Sequence, residues 1–402
     1  MANFLCLASY YKGSDFIKSC HECGNKVYLV TSIGLEHKDW PVEYIEEVFY
    51  IQQDYYNKWK FEDLLAGTTH LMKTVRIDAI VGVDDFDIEN AAALREHFRI
   101  PGMGSSTARY FRDKLAMRTK ARDAGISSPA FSRLFNDDEI NDFLELIPAP
   151  WLIKPRGEAS AAGITICKDK ETVWKTIRGL ENLRGDYLIE QFITGQVYHV
   201  DSIIFQSKIQ YSQVSKYLQT PIEVVQTGGI FRTVTLTPRD PLLKAAMKIN
   251  EQLIQSFGLK YSVSHAEFIY SEKDKRFYFV EIACRVGGAH ISDMVQAASH
   301  INLWAEWARI EDHSLKSLNY KLPKIKRLQA GLIISLSKVK KPDYSHFDKI
   351  GLDWELQKDY HVGVIYVDPD EKVVLKKIEA ATEVIKSKYF TTVPQSDKHS
   401  LD

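Results

Sequence analysis

Two glutamates in a predicted β-hairpin constrain this chain more than any other feature. The stretch from Val263 to Gly288 reads VSHAEFIYSEKDKRFYFVEIACRVGG, with two apolar runs separated by the charged segment SEKDKR. That pattern predicts two antiparallel strands joined by a loop of about five residues. With the turn centred on Asp274, Glu267 and Glu281 would lie opposite each other, with their Cβ atoms about 5 Å apart.

Two opposed carboxylates repel each other on an apolar sheet, and a hard divalent cation removes that conflict. Mg²⁺ is commonly held by one or two carboxylates together with phosphates and water. The continuation Arg285-Val286-Gly287-Gly288 favours a loop that admits an anion close to the backbone. The hairpin therefore predicts a metal–phosphate site. The alternative is that both acids face solvent, and a register slip of one residue would separate them.

The whole chain sets broader bounds. Its 402 residues are enough for two or three domains, and its formal charge of −1 gives no reason to expect binding to nucleic acid or membranes. Cys20 and Cys23 form a lone CxxC spacing, which favours free thiols over a zinc site. The apolar run 4–8 is too short for a signal-peptide core, and no stretch approaches a membrane span. We expect a soluble, cytoplasmic protein.

The N-terminal part shows a β-α-β pattern. Residues 4–8 and 26–31 read as buried strands, and residues 14–23 between them read as a helix that ends at Gly24. This order predicts a parallel sheet covered by helices. No GxGxxG follows the first strand, so the dinucleotide-binding fingerprint is absent.

Later segments predict further units. The β-loop-β-α-β order at about 127–195 predicts a compact α+β subdomain. Thr237 and Pro238 are predicted to start a long helix, with threonine as the cap and proline at the first helical position. Residues 289–310 are predicted to form one helix, and strands and a closing helix are expected after about 320.

Two short stretches suggest nucleotide binding. Lys154 ends a predicted strand before the small-residue loop 155–163, whose backbone N–H groups could approach phosphates. This loop lacks the GK[ST] of a Walker A motif, and Lys154 could instead be a surface lysine and Ser160 part of a tight turn. Glu190 ends an apolar strand, where its carboxylate could accept a hydrogen bond from the amino group of adenine.

Five motifs, taken in order, resemble the ATP-grasp superfamily, and within it the carboxylate–amine ligases that include L-amino-acid ligases and the biotin carboxylase fold group. The resemblance covers about residues 105–310. The motifs are RDKLAMR at 112–118, WLIKPRGEASAAGI at 151–164, LIEQFITG at 188–195, HAEF at 265–268 and VEIACRVGG at 280–288.

The resemblance implies a three-part α/β and α+β architecture. An N-terminal Rossmann-like α/β domain would span 1–104 and an ATP-grasp domain 105–315, with a mobile lid at about 127–195. A C-terminal α+β region would span 316–402.

The resemblance also implies roles for individual residues. Arg285 would steady the transferred phosphate or a tetrahedral intermediate, and Glu267 and Glu281 would coordinate Mg²⁺, with Mn²⁺ as an alternative ion. Lys114 and Lys154 would contact the phosphates of ATP, and Glu190 and the Phe192 backbone would hold adenine. The implied cofactor-binding residues are Lys114, Lys154, Ser160, Glu190, Gln191, Phe192 and His199.

Two positions depart from the pattern of the superfamily. Ala283 stands where the family usually has an asparagine ligand, so a second Mg²⁺ would be held less tightly or by water. Val197 stands where the family often has a ribose-binding acid. His199 is a candidate substitute for that acid, and the alternative is that it has no such task.

The function implied is an ATP-dependent ligase that forms an amide or peptide bond through an acyl phosphate and releases ADP and phosphate. The expected substrates are a small carboxylate and an amine, with amino acids among the candidates, and a homodimer is left open. The alternatives are a nucleotide-binding pseudoenzyme or sensor, and a ligase with a thiol or bicarbonate acceptor. The absence of a visible biotin-carrier sequence disfavours carboxylation.

Overall fold

The N-terminal region forms a parallel sheet, as the β-α-β pattern predicts. The computed structural model describes residues 1–54, 57–158 and 162–392 of the chain. The elements of this region are β1 (Asn3–Ala8), α1 (Ser14–Glu22), β2 (Lys26–Ser32), β3 (Glu47–Ile51), α2 (Phe61–Leu71), β4 (Ala79–Gly82) and α3 (Ile88–Phe98). The strands lie in the order β3-β2-β1-β4, and every pairing between them is parallel.

A second, smaller sheet follows two helices. The elements are α4 (Ser105–Ala108), α5 (Lys114–Asp123), β5 (Phe131–Arg133), α6 (Asp137–Leu146), β6 (Trp151–Pro155), β7 (Thr165–Cys167), α7 (Lys170–Leu180) and β8 (Tyr187–Gln191). These strands pair antiparallel in the order β5-β8-β6-β7 and share their own apolar core with α6 and α7. This sheet lies within the range in which we expected the lid.

The largest sheet carries the hairpin. The remaining elements are β9 (Gln196–Phe205), β10 (Lys208–Tyr217), α8 (Pro221–Thr227), β11 (Phe231–Thr235), α9 (Leu243–Phe257), β12 (Tyr261–Ser271), β13 (Arg276–Ala283), α10 (Ile291–Ser299), α11 (Leu303–Leu315), β14 (Gln329–Leu336), β15 (Trp354–Glu355), β16 (His361–Asp368) and α12 (Glu371–Lys388). Its strand order is β13-β12-β9-β10-β11-β14-β16-β15. The parallel and antiparallel sheets together confirm the α/β and α+β class.

The eight-stranded sheet crosses the expected boundary at 315/316. Strand β14 pairs with β11, so chain segments on both sides of that boundary share one sheet. We keep the division into 1–104, 105–315 and 316–402 as a proposal. One apolar cluster joins the N-terminal sheet to the large sheet and to α11, through residues such as Phe16, Ile203 and Trp307.

Two helix predictions are wrong. The helix expected from Thr237 begins at Leu243, because Pro241 removes a backbone donor from the expected first turn and disfavours a helical conformation at Asp240. The helix expected over 289–310 is two helices. His300 takes a left-handed conformation (φ 64°) after α10, and the Asn302 side chain accepts hydrogen bonds from the first N–H groups of α11.

The predicted pairing of Glu267 with Glu281 is confirmed, although the position of the turn differs from the predicted one. Ser271 pairs with Arg276, so the turn is centred half a residue before Asp274. A β-bulge at Val280 then adds one residue to β13, and Glu267 pairs with Glu281. No helix in the described ranges is both long and apolar enough to cross a membrane.

Candidate active site

The paired glutamates lie at one end of the large sheet, on adjacent strands of the hairpin. The Glu267 side chain is 13% exposed and accepts a hydrogen bond from the Tyr217 hydroxyl at 2.6 Å. The Glu281 side chain is 32% exposed, and its Oε2 lies 3.0 Å from the Lys114 ammonium. Lys114 is the first residue of α5, so this contact joins that helix to the hairpin.

These residues fit a divalent cation. A positive charge, the Lys114 ammonium, already lies against Glu281. Burial would raise the pKa of Glu281, but Lys114 outweighs burial and the pKa is lowered. The site thus holds a carboxylate in its charged form beside a second carboxylate, which is the donor set that hard cations prefer.

A second group of charges lies buried between the small sheet and α5. The Lys154 ammonium lies 2.5 Å from Glu190 Oε1, and Arg118 Nε donates to Glu190 Oε2 at 2.9 Å. Burial would raise the pKa of Glu190, but the two cations outweigh it and lower that pKa. Burial lowers the pKa of Lys154 to about 8, against the attraction of Glu190. Lys154 is therefore a buried amine rather than a surface lysine.

These contacts differ from those expected for the adenine-binding residues. Both carboxylate oxygens of Glu190 already accept from cations, so an incoming amino group would have to share one of these oxygens with a cation. The backbone N–H of Gln191 donates to Ala130 O at 2.8 Å, and that of Phe192 donates to Pro150 O at 3.0 Å. A backbone contact to adenine at Phe192 would therefore use its carbonyl group.

Arg285 lies where the hairpin meets the N-terminal sheet. Its Nε donates to Asp85 Oδ2 at 2.9 Å, its Nη2 contacts the same oxygen, and its Nη1 donates to Val286 O at 2.7 Å. Asp85 follows β4 at the carboxyl edge of the parallel sheet. Burial would raise the pKa of Asp85, but Arg285 and Arg112 outweigh it and hold the pKa at about 2.

The loop after β6 contacts the start of α5. Arg112 and Lys114 donate to the carbonyl groups of Gly157 and Glu158, with the Lys114 contact at 2.5 Å. Asp113 caps α5 and also forms an ion pair with Arg156. Ser160, expected in the flap, lies outside the described residues.

His199 belongs to a network that sequence reasoning missed. It is fully buried, with Nδ1 2.7 Å from Asp201 and Nε2 2.8 Å from the Thr233 hydroxyl, so both ring nitrogens have protein partners in place of the expected ribose. The other Asp201 oxygen lies 2.8 Å from His265 Nδ1. Two histidines and an aspartate could also suggest a zinc site, but two ligand atoms on one zinc ion lie more than about 3 Å apart. The distances here are shorter and are those of hydrogen bonds, so the three residues form a hydrogen-bonded network.

Sequence reasoning did not assign a role to Asp85, Asp201 or Arg118, and only one of them could have been recognised from the sequence. Asp85 could have been found, because ligand-binding side chains commonly follow the strands of a parallel sheet at their carboxyl ends. Asp201 and Arg118 could not, because a polar residue in an apolar strand or helix does not reveal its distant partner.

No protein-family model matches the chain. The crystal structure of an L-amino acid ligase from Bacillus licheniformis superposes with a TM-score of 0.73 at 15% identity, over 98% of this chain and 99% of that one. The protein has the ATP-grasp fold. The biotin carboxylase domain of the Hydrogenobacter thermophilus 2-oxoglutarate carboxylase, solved with MgADP and bicarbonate, gives a TM-score of 0.69 at 17% identity, over 97% of this chain and 91% of that domain.

A sequence relative points in the same direction. The L-arginine-specific L-amino acid ligase of Bacillus subtilis is 27% identical over 241 residues, which cover 58% of this chain. The matched part spans 57% of the length of that ligase. The ATP-grasp resemblance inferred from the motifs is therefore confirmed.

Proposed function

We propose that this ATP-grasp protein is a Mg²⁺-dependent carboxylate–amine ligase. ATP phosphorylates a small carboxylate, and an amine then attacks the acyl phosphate to form an amide. The observation that carries the proposal is the Glu267–Glu281 pair, with the Lys114 ammonium against one acid and the Arg285 loop directly after the strand that carries it. The similarity to two L-amino acid ligases supports amino acids as the substrate class.

The reaction balances in two steps. A substrate carboxylate oxygen attacks the γ-phosphorus of ATP, and ADP leaves. The amine nitrogen then attacks the acyl carbon, phosphate leaves and the nitrogen loses a proton. Both steps depend mainly on positioning and on charge neutralisation.

Each charged residue has a place in this scheme. Glu267 and Glu281 would hold Mg²⁺, which offsets the negative charge of the phosphates when it is bound. Lys114 and Lys154 would contact the phosphates. Arg285 would bind the reacting carboxylate or the transferred phosphate, because a planar guanidinium matches those oxygens.

Adenine-binding and lid roles remain part of the proposal. Glu190, with Gln191 and Phe192 beyond it, would place adenine at the end of β8 and would hold Lys154 in its charged form. Lid closure over the phosphates would limit loss of the acyl phosphate to water. His199 is not included among the ATP contacts, because Asp201 and Thr233 occupy its ring nitrogens.

The direct test is a product screen. The protein is incubated with ATP, Mg²⁺ and pooled amino acids, ADP release is measured, and products are identified by mass spectrometry. A dipeptide or other amide formed in proportion to ADP supports the ligase. ATP binding without ADP release would support the sensor alternative, and a product with a thiol or bicarbonate would change the acceptor.

Glu281→Gln tests the metal assignment. Removing this charge should reduce ADP release to background, because one of the two acids proposed to hold Mg²⁺ is lost. Circular dichroism should show an unchanged fold, since the side chain is partly exposed and keeps its volume. Near-normal ADP release by this variant would overturn the two-carboxylate site.

A further inference from the structure

We propose that Asp201 is a positioning residue that holds both Glu267 and the Arg285 loop in place. The inference rests on the proposed function, in which Glu267 is a metal ligand. Asp201 lies in the middle of β9 and is fully buried. Its two described links to the proposed site run through the His265 ring and the Gly287 backbone.

The first link runs through His265. Its Nδ1 lies 2.8 Å from Asp201 Oδ1, and its Nε2 lies 3.4 Å from Glu267 Oε1. The ring therefore lies between two carboxylates, and these contacts at both nitrogens fix its orientation. Glu267 Oε1 accepts from the Tyr217 hydroxyl and also contacts the His265 ring, so the rotation of this carboxylate is restricted as well.

The second link runs through Gly287. A Cβ atom built at this position would stand 2.8 Å from Asp201 Oδ1 and 3.0 Å from His265 Nδ1. The backbone after Arg285 thus packs directly on the Asp201–His265 pair, and only glycine leaves room for it. One buried carboxylate therefore sets the position of a proposed metal ligand and of the proposed phosphate-binding loop.

Asp201 is itself held in position by His199, which in turn contacts Thr233. His199 binds the second Asp201 oxygen and donates or accepts at Thr233, so both carboxylate oxygens are bound. Leaving such a charge unpaired in the interior is costly, and full pairing makes its position well defined. Partners that orient metal ligands in this way typically change metal affinity by about 10–100-fold when they are removed.

The test compares metal binding in Asp201→Asn and the wild type. Mn²⁺ is titrated in the presence of saturating ADP, and free Mn²⁺ is measured by electron paramagnetic resonance. We expect Asp201→Asn to weaken Mn²⁺ binding about 10–100-fold. Calorimetry with ADP alone, without metal, should give an ADP affinity within about twofold of the wild type. A general loss of structure would instead weaken ADP binding as well.

Ser202→Ala is the matched control on the same strand. Ser202 is equally buried, faces the opposite side of β9, and bonds to Ser212 and Asn250. Its removal also deletes buried hydrogen bonds, but it does not touch the network that leads to Glu267. Mn²⁺ affinity in the presence of ADP should stay within about twofold of the wild type.

Two glycine variants keep the proposal testable if Asp201→Asn does not fold. Gly287→Ala should displace Asp201 and weaken Mn²⁺ binding in the presence of ADP. Gly67→Ala, in α2 and outside the proposed site, adds a methyl group where nothing lies within 4 Å, and it should leave Mn²⁺ affinity near the wild-type value.

The outcomes separate this proposal from the ligase proposal. Wild-type Mn²⁺ affinity in both Asp201→Asn and Gly287→Ala would overturn the positioning role. A Mn²⁺ defect in these variants of a protein that forms no amide would support the positioning role and count against the ligase. Failure of the wild type to bind Mn²⁺ with ADP would overturn both.

Discussion

At the scale of single residues, the charges of this site are held by other charges. Asp85 holds Arg285, Glu190 lies between Arg118 and Lys154, and the Lys114 ammonium lies against Glu281. The sequence indicated several of the charged residues that are proposed to bind nucleotide and metal, including Lys114, Lys154 and Glu281. It did not indicate their partners, because these come from strands and helices far apart in the chain.

The Asp85–Arg285 pair should contribute to stability in a pH-dependent way. The pKa of Asp85 is about 2 in the folded protein and 3.8 when unperturbed, so the pair stabilises the fold above about pH 4. This contribution is lost as pH falls from about 4 towards 2, and it amounts to roughly 2 kcal/mol at one pKa unit per 1.36 kcal/mol.

Asp85→Asn measures that contribution. Urea unfolding of the wild type and the variant from pH 3 to pH 7 should show a constant difference in unfolding free energy above pH 5. The difference should narrow below pH 4, because Asp85 becomes protonated in the unfolded wild-type chain while it stays ionised in the folded protein. A difference that does not change with pH would contradict the assigned cause of the shift.

At the scale of helices and strands, local patterns predicted most elements that carry the site. The hairpin, β6 and β8 lie where the apolar runs placed them. The bulge was visible in principle, because the core-facing residues change phase from Phe277 and Phe279 to Ile282 and Cys284. The break between α10 and α11 was not visible in the sequence, because no sequence pattern marks a histidine that takes a left-handed conformation within an apparent helix.

The ion pair between Asp113 and Arg156 should keep the loop after β6 close to α5. Asp113→Asn retains an oxygen that can accept from Leu115 N and Ala116 N, so the helix keeps its cap. The variant loses the ion pair, so hydrogen exchange at residues 156–158 should be faster than in the wild type. Exchange at 115–117 should not change.

Asp113→Ala provides the contrast, because it removes the cap and the ion pair together. Its exchange should increase in both segments, as measured by mass spectrometry of the same peptides. In the wild type, a non-hydrolysable ATP analogue with Mg²⁺ should slow exchange at 156–158. Equal exchange in the wild type and Asp113→Asn would show that the ion pair does not restrain the loop.

At the scale of the whole molecule, the large sheet unites segments that the sequence divides. The family resemblance implied a C-terminal region from residue 316 onwards, whereas β14 pairs with β11 and α12 packs on the same strands. Sequence patterns do not reveal which strands pair over such distances, because the pairing is decided by tertiary packing. Glu267 and Glu281 therefore lie on a sheet whose strands come from both sides of the expected boundary at 315/316.

A chain ending at residue 315 should therefore fail to fold. Truncation would leave β11 as an unpaired edge and expose apolar residues of the sheet, including Val234, that α12 and the last strands cover. We expect the truncated chain to aggregate or to be digested rapidly by protease, while the 402-residue chain gives a protease-resistant core. A soluble monomer with a cooperative unfolding transition would contradict this dependence.

The bulge at Val280 determines where insertions and deletions in the hairpin can be tolerated during evolution. Insertions or deletions between Ser271 and Arg276 change only the turn and leave the pairing of Glu267 with Glu281 intact. A single added residue between Arg276 and Glu281 would instead reverse the face on which Glu281 lies and turn its carboxylate towards Phe257 and Phe279. In descendants of this gene, length variation in the hairpin should accumulate in the turn and be eliminated by selection within the strands.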